Sequence, residues 1–228
     1  MHLLTTVLSI GLPDLLGITL RGNTYPVLTL LFKGGPVMVP LLGLSILTFS
    51  TALERSWFWL RLLRQEGRIV HDVLEAAHYD LEDAQMIAER AQHVAIGRFL
   101  LAPLKLNQPT PETFRLALES AADREFVKMR KGDKFLETVV AIAPLLGLLG
   151  TVTGLIVTFN NLDIGSGGAG EGATLAAGGI GEALITTAAG MVVAILALAV
   201  FRIFVSLQSH QIDYFSEVGS ELELIYRQ

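Results

Sequence analysis

Three stretches of this chain carry no charged side chain, and each is long enough to cross a lipid bilayer. Residues 34–53, between Lys33 and Glu54, are 20 uncharged positions; residues 138–162, between Glu137 and Asp163, are 25; residues 183–201, between Glu182 and Arg202, are 19. At about 1.5 Å of rise per helical residue, each run matches a hydrocarbon core of about 30 Å. The charge deficit is general: 17% of the 228 residues are charged, against about 25% in a soluble domain. A disordered chain would be polar, and a small disulfide scaffold needs cysteine, of which there is none. The same lack removes thiolate metal and redox chemistry. A net charge of -5 gives no reason to expect nucleic acid, whose affinity comes from clustered Lys and Arg. The expected fold is an all-α membrane protein with three transmembrane helices and a cytoplasmic helical bundle.

The cations set the orientation. Of the 17 Lys and Arg, 13 lie between residues 54 and 137, and the loop 163–182 has none. By the positive-inside rule the middle segment and the tail are cytoplasmic, with the N-terminus and the glycine-rich loop outside. This divides the chain into an outer interfacial segment (1–33), a first span (34–56), a cytoplasmic helical domain (57–137), a second span (138–162), an outer loop (163–174), a third span (175–203) and a cytoplasmic C-terminal helix (204–228). Trp57, Phe58 and Trp59 follow the first span, where an aromatic belt would anchor the inner interface. Residues 72–106 read as amphipathic helix up to the turn at 107–111. Thr110 is then an N-cap with Pro111 in the first helical position. No Pro or Gly interrupts the next 20 residues, so one helix is expected from Pro111 through Gly132 into the second span. The stripe Ile203, Phe204, Leu207, Ile212 and Phe215 continues the third helix past Arg202.

Polar residues within the spans are the functional candidates. An intramembrane carboxylate costs roughly 2.5–3.5 kcal/mol on insertion scales and needs a partner or water. Glu182 lies 20 residues, ~30 Å, outward from Arg202, whereas Asp163 lies 26 residues, ~39 Å, outward from Glu137. Glu182 therefore belongs in the outer third of the bilayer, unless it merely caps the third helix. Thr151, 14 residues from Glu137, and Thr187, 15 residues from Arg202, fall at one level, ~21 and ~22 Å from the inner boundary. The alternative for either threonine is a hydroxyl bonded to its own helix. Thr187 is turned about 140° from Glu182 round the helix and Thr186 only about 40°. Gly147, Gly150 and Gly154 on the second span, and Gly178, Gly181 and Gly190 on the third, allow close helix packing. Three spans of one chain could hardly enclose a polar layer, so an oligomer is expected. The run 165–172 lacks the lysine and strand of a phosphate loop. His71, His78 and His93 lack metal-site spacing, and no Ser–His–carboxylate set points to an enzyme. Neither metal nor cofactor is expected.

Two segments carry a family resemblance. FLETVVAIAPLLGLLGTVTGLIVTF (135–159) and GIGEALITTAAGMVVAI (179–195) resemble the two signature spans of the ExbB/TolQ/MotA proton-driven motor subunits, and KGGPVMVPLLGLSIL before LER is similar to the first span of ExbB. Strong matching covers residues 128–206, about a third of the chain. Three spans favour the ExbB/TolQ branch over four-span MotA. The resemblance implies a homopentamer in the bacterial inner membrane, in contact with lipid, around a dimer of a single-span ExbD- or TolR-like partner whose Asp carries protons. It also implies a TonB-like energy transducer and outer-membrane transport, or alternatively a TolQ-like envelope, gliding or secretion role; the rival reading from another class is a passive oligomeric membrane scaffold with Glu182 as a structural cap. On the family pattern Thr151 and Thr187 line the lumen and Glu182 lies above them. The Trp and Pro common in the family stand here as Thr153 and Leu196.

Overall fold

The structure, a computed structural model, describes residues 34–161 and 171–228. Expectations for residues 1–33, and for the loop at 163–170, lie outside the described residues. Among the described residues six helices follow in order: α1 (Met38–Ala77), α2 (Leu81–Arg90), α3 (Ala95–Leu104), α4 (Pro111–Met129), α5 (Asp133–Asn161) and α6 (Glu171–Tyr226). Among the described residues there is no strand.

Local chemistry sets the helix ends. The Asp80 carboxylate accepts from Glu82 N–H at 2.8 Å and opens α2, whose acidic first turn and terminal Arg90 oppose the helix dipole. Thr110 Oγ1 accepts from Thr113 N–H at 3.3 Å with Pro111 directly after it, so α4 starts at the expected turn. Two expectations need correction. The stretch 72–106 is three helices rather than one, broken at 78–80 and 91–94. In the second break the chain turns so tightly that a Cβ on Gly97 would overlap the Ala91 carbonyl. The helix expected from Pro111 into the second span is also interrupted, at 130–132, where Gly132 takes φ +91°. A side chain there is strained, and α5 begins anew at Asp133.

The chain divides into two compact units. The first comprises the described part of Met1–Leu44 with Ile142–Ala194; the second comprises Ser45–Ala141 with Ile195–Gln228. The second unit has a water-soluble type of core. Along α6, Phe204, Gln208, Gln211, Phe215, Val218 and Leu222 are buried at alternating spacings of four and three residues, a single helical face. Phe215 packs against Phe99 and Phe126 with ring centroids 4.8 and 5.4 Å away. At the far end Tyr226 stacks on Phe114 at 4.3 Å and donates its hydroxyl to Pro109 O at 2.5 Å.

Buried polar groups in this unit tie helix ends and helix pairs. The Arg55 guanidinium donates to the Lys128 and Met129 carbonyls at the end of α4. Gln208 Nε2 donates to Met129 O and to Asp133 Oδ2, at 3.3 and 2.8 Å, and holds the α4–α5 turn. Glu125 receives Arg98 Nε at 2.9 Å and Lys128 Nζ at 2.7 Å. Burial alone would raise the Glu125 carboxyl, but these donors outweigh it and hold it below the ordinary value. Glu66 has the opposite fate. Its Oε2 accepts from Gln211 Nε2 at 2.9 Å, while Glu66 Oε1 and Gln211 Oε1 are buried without a hydrogen-bond partner among the described residues. Burial pushes this carboxyl up to about 7.

Among the described residues two helical stretches are long and apolar enough to cross a membrane, Pro111–Asn160, across the turn at 130–132, and Ala176–Tyr226. Only 28% and 22% of their most apolar windows is buried within the chain. A soluble core helix would be mostly buried. Here Leu145, Leu148, Val152 and Ile156 of α5, with Leu184, Met191 and Ile195 of α6, are exposed. The first expected span, 34–56, is not among these stretches, because α1 starts only at Met38 and meets Glu54.

Two outcomes test the second unit. Truncation of Phe215, 1% exposed, to Ala should cost about 3–5 kcal/mol in detergent unfolding experiments. Glu66 binds its proton more tightly folded than unfolded, so its stabilisation is full below the ordinary value of 4.5 and is lost as pH rises through about 7. Wild-type Tm should fall between pH 5.5 and 8 by more than that of Glu66→Gln.

Candidate functional site

The polar candidates lie in the first unit, where α5 and α6 run against each other through small residues. A Cβ on Gly190 would stand 2.6 Å from Ala143 O and 3.0 Å from Gly147 Cα; one on Gly147 would stand 3.1 Å from Thr187 Cα; one on Gly154 would stand 3.0 Å from Ala183 Cβ. A Cβ on Gly150 would overlap the Thr186 side chain. These contacts fall at three- and four-residue steps on both helices, so Gly147, Gly150, Gly154 and Gly190 form one antiparallel seam in which backbone meets backbone. Gly178 and Gly181 are different: a Cβ on either would meet nothing among the described residues within 4 Å.

The threonines divide along the same seam. Thr187 Oγ1 donates across it to Gly147 O at 3.0 Å and along its own helix to Ala183 O at 3.3 Å. Thr151 Oγ1 donates within α5, to Leu148 O at 2.6 Å. Both are half-buried. Among the described residues no hydrogen bond joins Thr151, Thr187 and Glu182 to one another.

Glu182, half-buried on α6, sits under the turn that leads into α1. Gly35 has φ +68°, and a Cβ on it would overlap Glu182 Oε1. Glycine is favoured there by conformation, and a larger residue would also have to displace the end of the Glu182 side chain. One turn further along α6, Thr186, 1% exposed, donates to Gly34 O at 2.8 Å and to Glu182 O at 3.0 Å. Sequence reasoning passed over Thr186, Gly34 and Gly35 as site residues. The usable signal was the four-residue step from Glu182 to Thr186, which puts both on one face. The double glycine before Pro36 read only as punctuation.

This pairing of a small-residue seam with a half-buried carboxylate, on helices whose outer faces are apolar, coincides with a known family. A profile of the MotA/TolQ/ExbB proton channel family matches residues 91–217. The chain belongs to that family. A Synechocystis sp. protein named for its likeness to the biopolymer transport protein ExbB, ExbB-like 1, is 69% identical over 196 residues, covering 86% of this chain and 77% of the relative. ExbB-like 3 of the same organism is 37% identical over 194 residues, covering 85% and 92%. An ExbB homolog of Methanothermobacter thermautotrophicus is 28% identical over 206 residues, covering 87% and 67%. The chain is thus a helical membrane protein of the ExbB-like branch.

The seam makes an asymmetric prediction. Gly190→Val has only backbone to push against and should destabilise by about 1–3 kcal/mol. Gly178→Val should change little in the monomer. Thermal unfolding of both variants followed by circular dichroism checks the contrast.

Proposed function

We propose that the chain is the ring-forming subunit of a proton-motive-force-driven motor of the ExbB type. In this reading five copies surround a dimer of a single-span ExbD- or TolR-like partner in the bacterial inner membrane. The first span is 34–56, the N-terminus is periplasmic and the C-terminus cytoplasmic. Family membership and the ExbB-like relatives support the assignment, and the exposed Val39, Ile46, Leu47 and Phe49 support a lipid-facing first span.

The observation that carries the reading is Glu182, the carboxylate at the outer end of an apolar α6 face, set beside the Gly35 turn. Protons enter past Glu182, bind the partner's Asp opposite Thr151 and Thr187, and leave toward the cytoplasm. Threonine cannot carry a proton at neutral pH, so the partner supplies the carrier. Each charge crossing gains about 2.3 kcal/mol per 100 mV. Over several protons that suffices to rotate or displace the partner and to act, through a TonB-like transducer, on outer-membrane transport. Gly178 and Gly181, open within one chain, are available for packing against another copy.

Proton leak into vesicles and energised transport should both fall at least tenfold in Glu182→Gln and Thr187→Val, since each removes a group from the path. Wild-type values in both variants would sink the pathway. Loss of assembly in Glu182→Gln, with normal coupling in the remaining complexes, would instead establish the scaffold role.

A further inference from the structure

On α1, Ile46, Phe49, Leu53, Trp57 and Leu60 recur at three- and four-residue steps, and all are more than half exposed. This apolar stripe ends in cations. Arg61, Arg64 and Arg68 follow at helical spacing on one side of the helix. Between this part of α1 and the start of α3 lies a cavity of about 720 Å³, with Trp57, Arg61, Arg64, Gln65, His93 and Arg98 in its wall. Gln65 Oε1 and His93 Nε2, 3.2 Å apart, are both in that wall.

The charges in this cavity are unequally matched. Arg98 is committed to Glu125, and Glu54 is paired with Lys131 at 3.5 Å. Arg61 lies over the Trp57 ring at 5.3 Å. Among the described residues neither Arg61 nor Arg64 has a carboxylate partner, so the pocket holds two uncompensated guanidinium groups. Arg61 is seven residues beyond Glu54, ~10 Å along the helix. Helical side chains lean toward the helix N-terminus, which for α1 is the side of the apolar stripe. Long cationic side chains placed so reach back to a head-group layer.

We infer that this cavity binds the phosphate head group of an anionic phospholipid through Arg61 and Arg64, with an acyl chain along Ile46, Phe49, Leu53 and Trp57. The inference rests on the proposed reading of residues 34–56 as a span. A free phosphate would use the cations and leave the adjoining apolar stripe without purpose; an amphiphile uses both. Arg rather than Lys suits a phosphate, since the planar guanidinium presents two parallel donors.

The test uses the full-length protein in detergent, with lipid adducts counted by native mass spectrometry. Phosphatidylglycerol should bind in preference to phosphatidylethanolamine, and the double variant Arg61→Gln/Arg64→Gln should bind it about tenfold or more weakly. Arg61→Lys/Arg64→Lys, which retains charge and fold, should recover part of the binding. The equal-charge control Arg90→Gln/Arg124→Gln should match wild type. Equal retention in the two Gln double variants would overturn the proposal, as would displacement of the lipid by millimolar inorganic phosphate. The span itself is tested separately. The chain has no cysteine, so Gln92→Cys gives one labelling site, and its modification by an impermeant maleimide from the outer face would overturn the topology without touching the detergent result.

Discussion

The backbone contact between α5 and α6 is the constraint from which the rest of the first unit follows. In a bilayer two apolar helices gain nothing by leaving lipid for each other, so they associate only where small residues let backbones touch and polar groups bond. Gly147, Gly150, Gly154 and Gly190 supply the first condition, and the Thr187 bond to Gly147 O the second. Once α6 is fixed on α5, its next polar turn is fixed too. Thr186 reaches Gly34 O, and Gly35 closes over the Glu182 carboxylate in a left-handed turn that favours glycine. The carboxylate's place is thus a result of the helix packing beside it, at Ala183 and Thr186.

The second unit solves its packing by other means, since the buried rings of Phe99 and Phe215, with the half-buried Phe126 against them, give it an aqueous type of core. Its polar interior nevertheless shows how strongly partners decide the state of a carboxylate. Glu125 and Glu66 are equally withdrawn from solvent, at 4% exposure each. Arg98 and Lys128 keep Glu125 charged, whereas Glu66 faces only the Gln211 amide and rises to about 7. A proton on Glu66 gives the pair one more donor, where two buried oxygens otherwise lack one.

Much of this was legible along the chain, because charge-free runs and glycine spacing are one-dimensional signals. The Thr110–Pro111 start of α4 is equally local, needing three neighbouring residues. What stayed hidden depends on distant partners. The breaks at 78–80 and 91–94 carry no proline; the first ends at the local Asp80 cap, and in the second it takes the folded chain to show Gly97 closing on Ala91 O. Gly132 was visible as a letter, but its left-handed conformation, packed near Thr51 and Arg55, was not. Gln208 and Gln211 occupy core positions of an apolar stripe, where hydropathy argues against them. Their reason lies in Asp133 and Glu66, 75 and 145 residues away.

The threonine hydrogen bonds also set the polarity that a proposed lumen would present. A hydroxyl has one hydrogen and two lone pairs. Thr151 spends its hydrogen on Leu148 O, and Thr187 on Gly147 O and Ala183 O. What each has left is acceptor capacity. Facing a partner's carboxyl, such oxygens receive a hydrogen bond from the protonated acid and repel the carboxylate. A ring of them therefore raises the proton affinity of whatever acid passes, and favours a carrier that crosses this level neutral. Release then requires the acid to move away from the threonine level, to donors or water. On the proposed reading, a seam built to hold two helices together would also couple proton transfer to displacement of the partner.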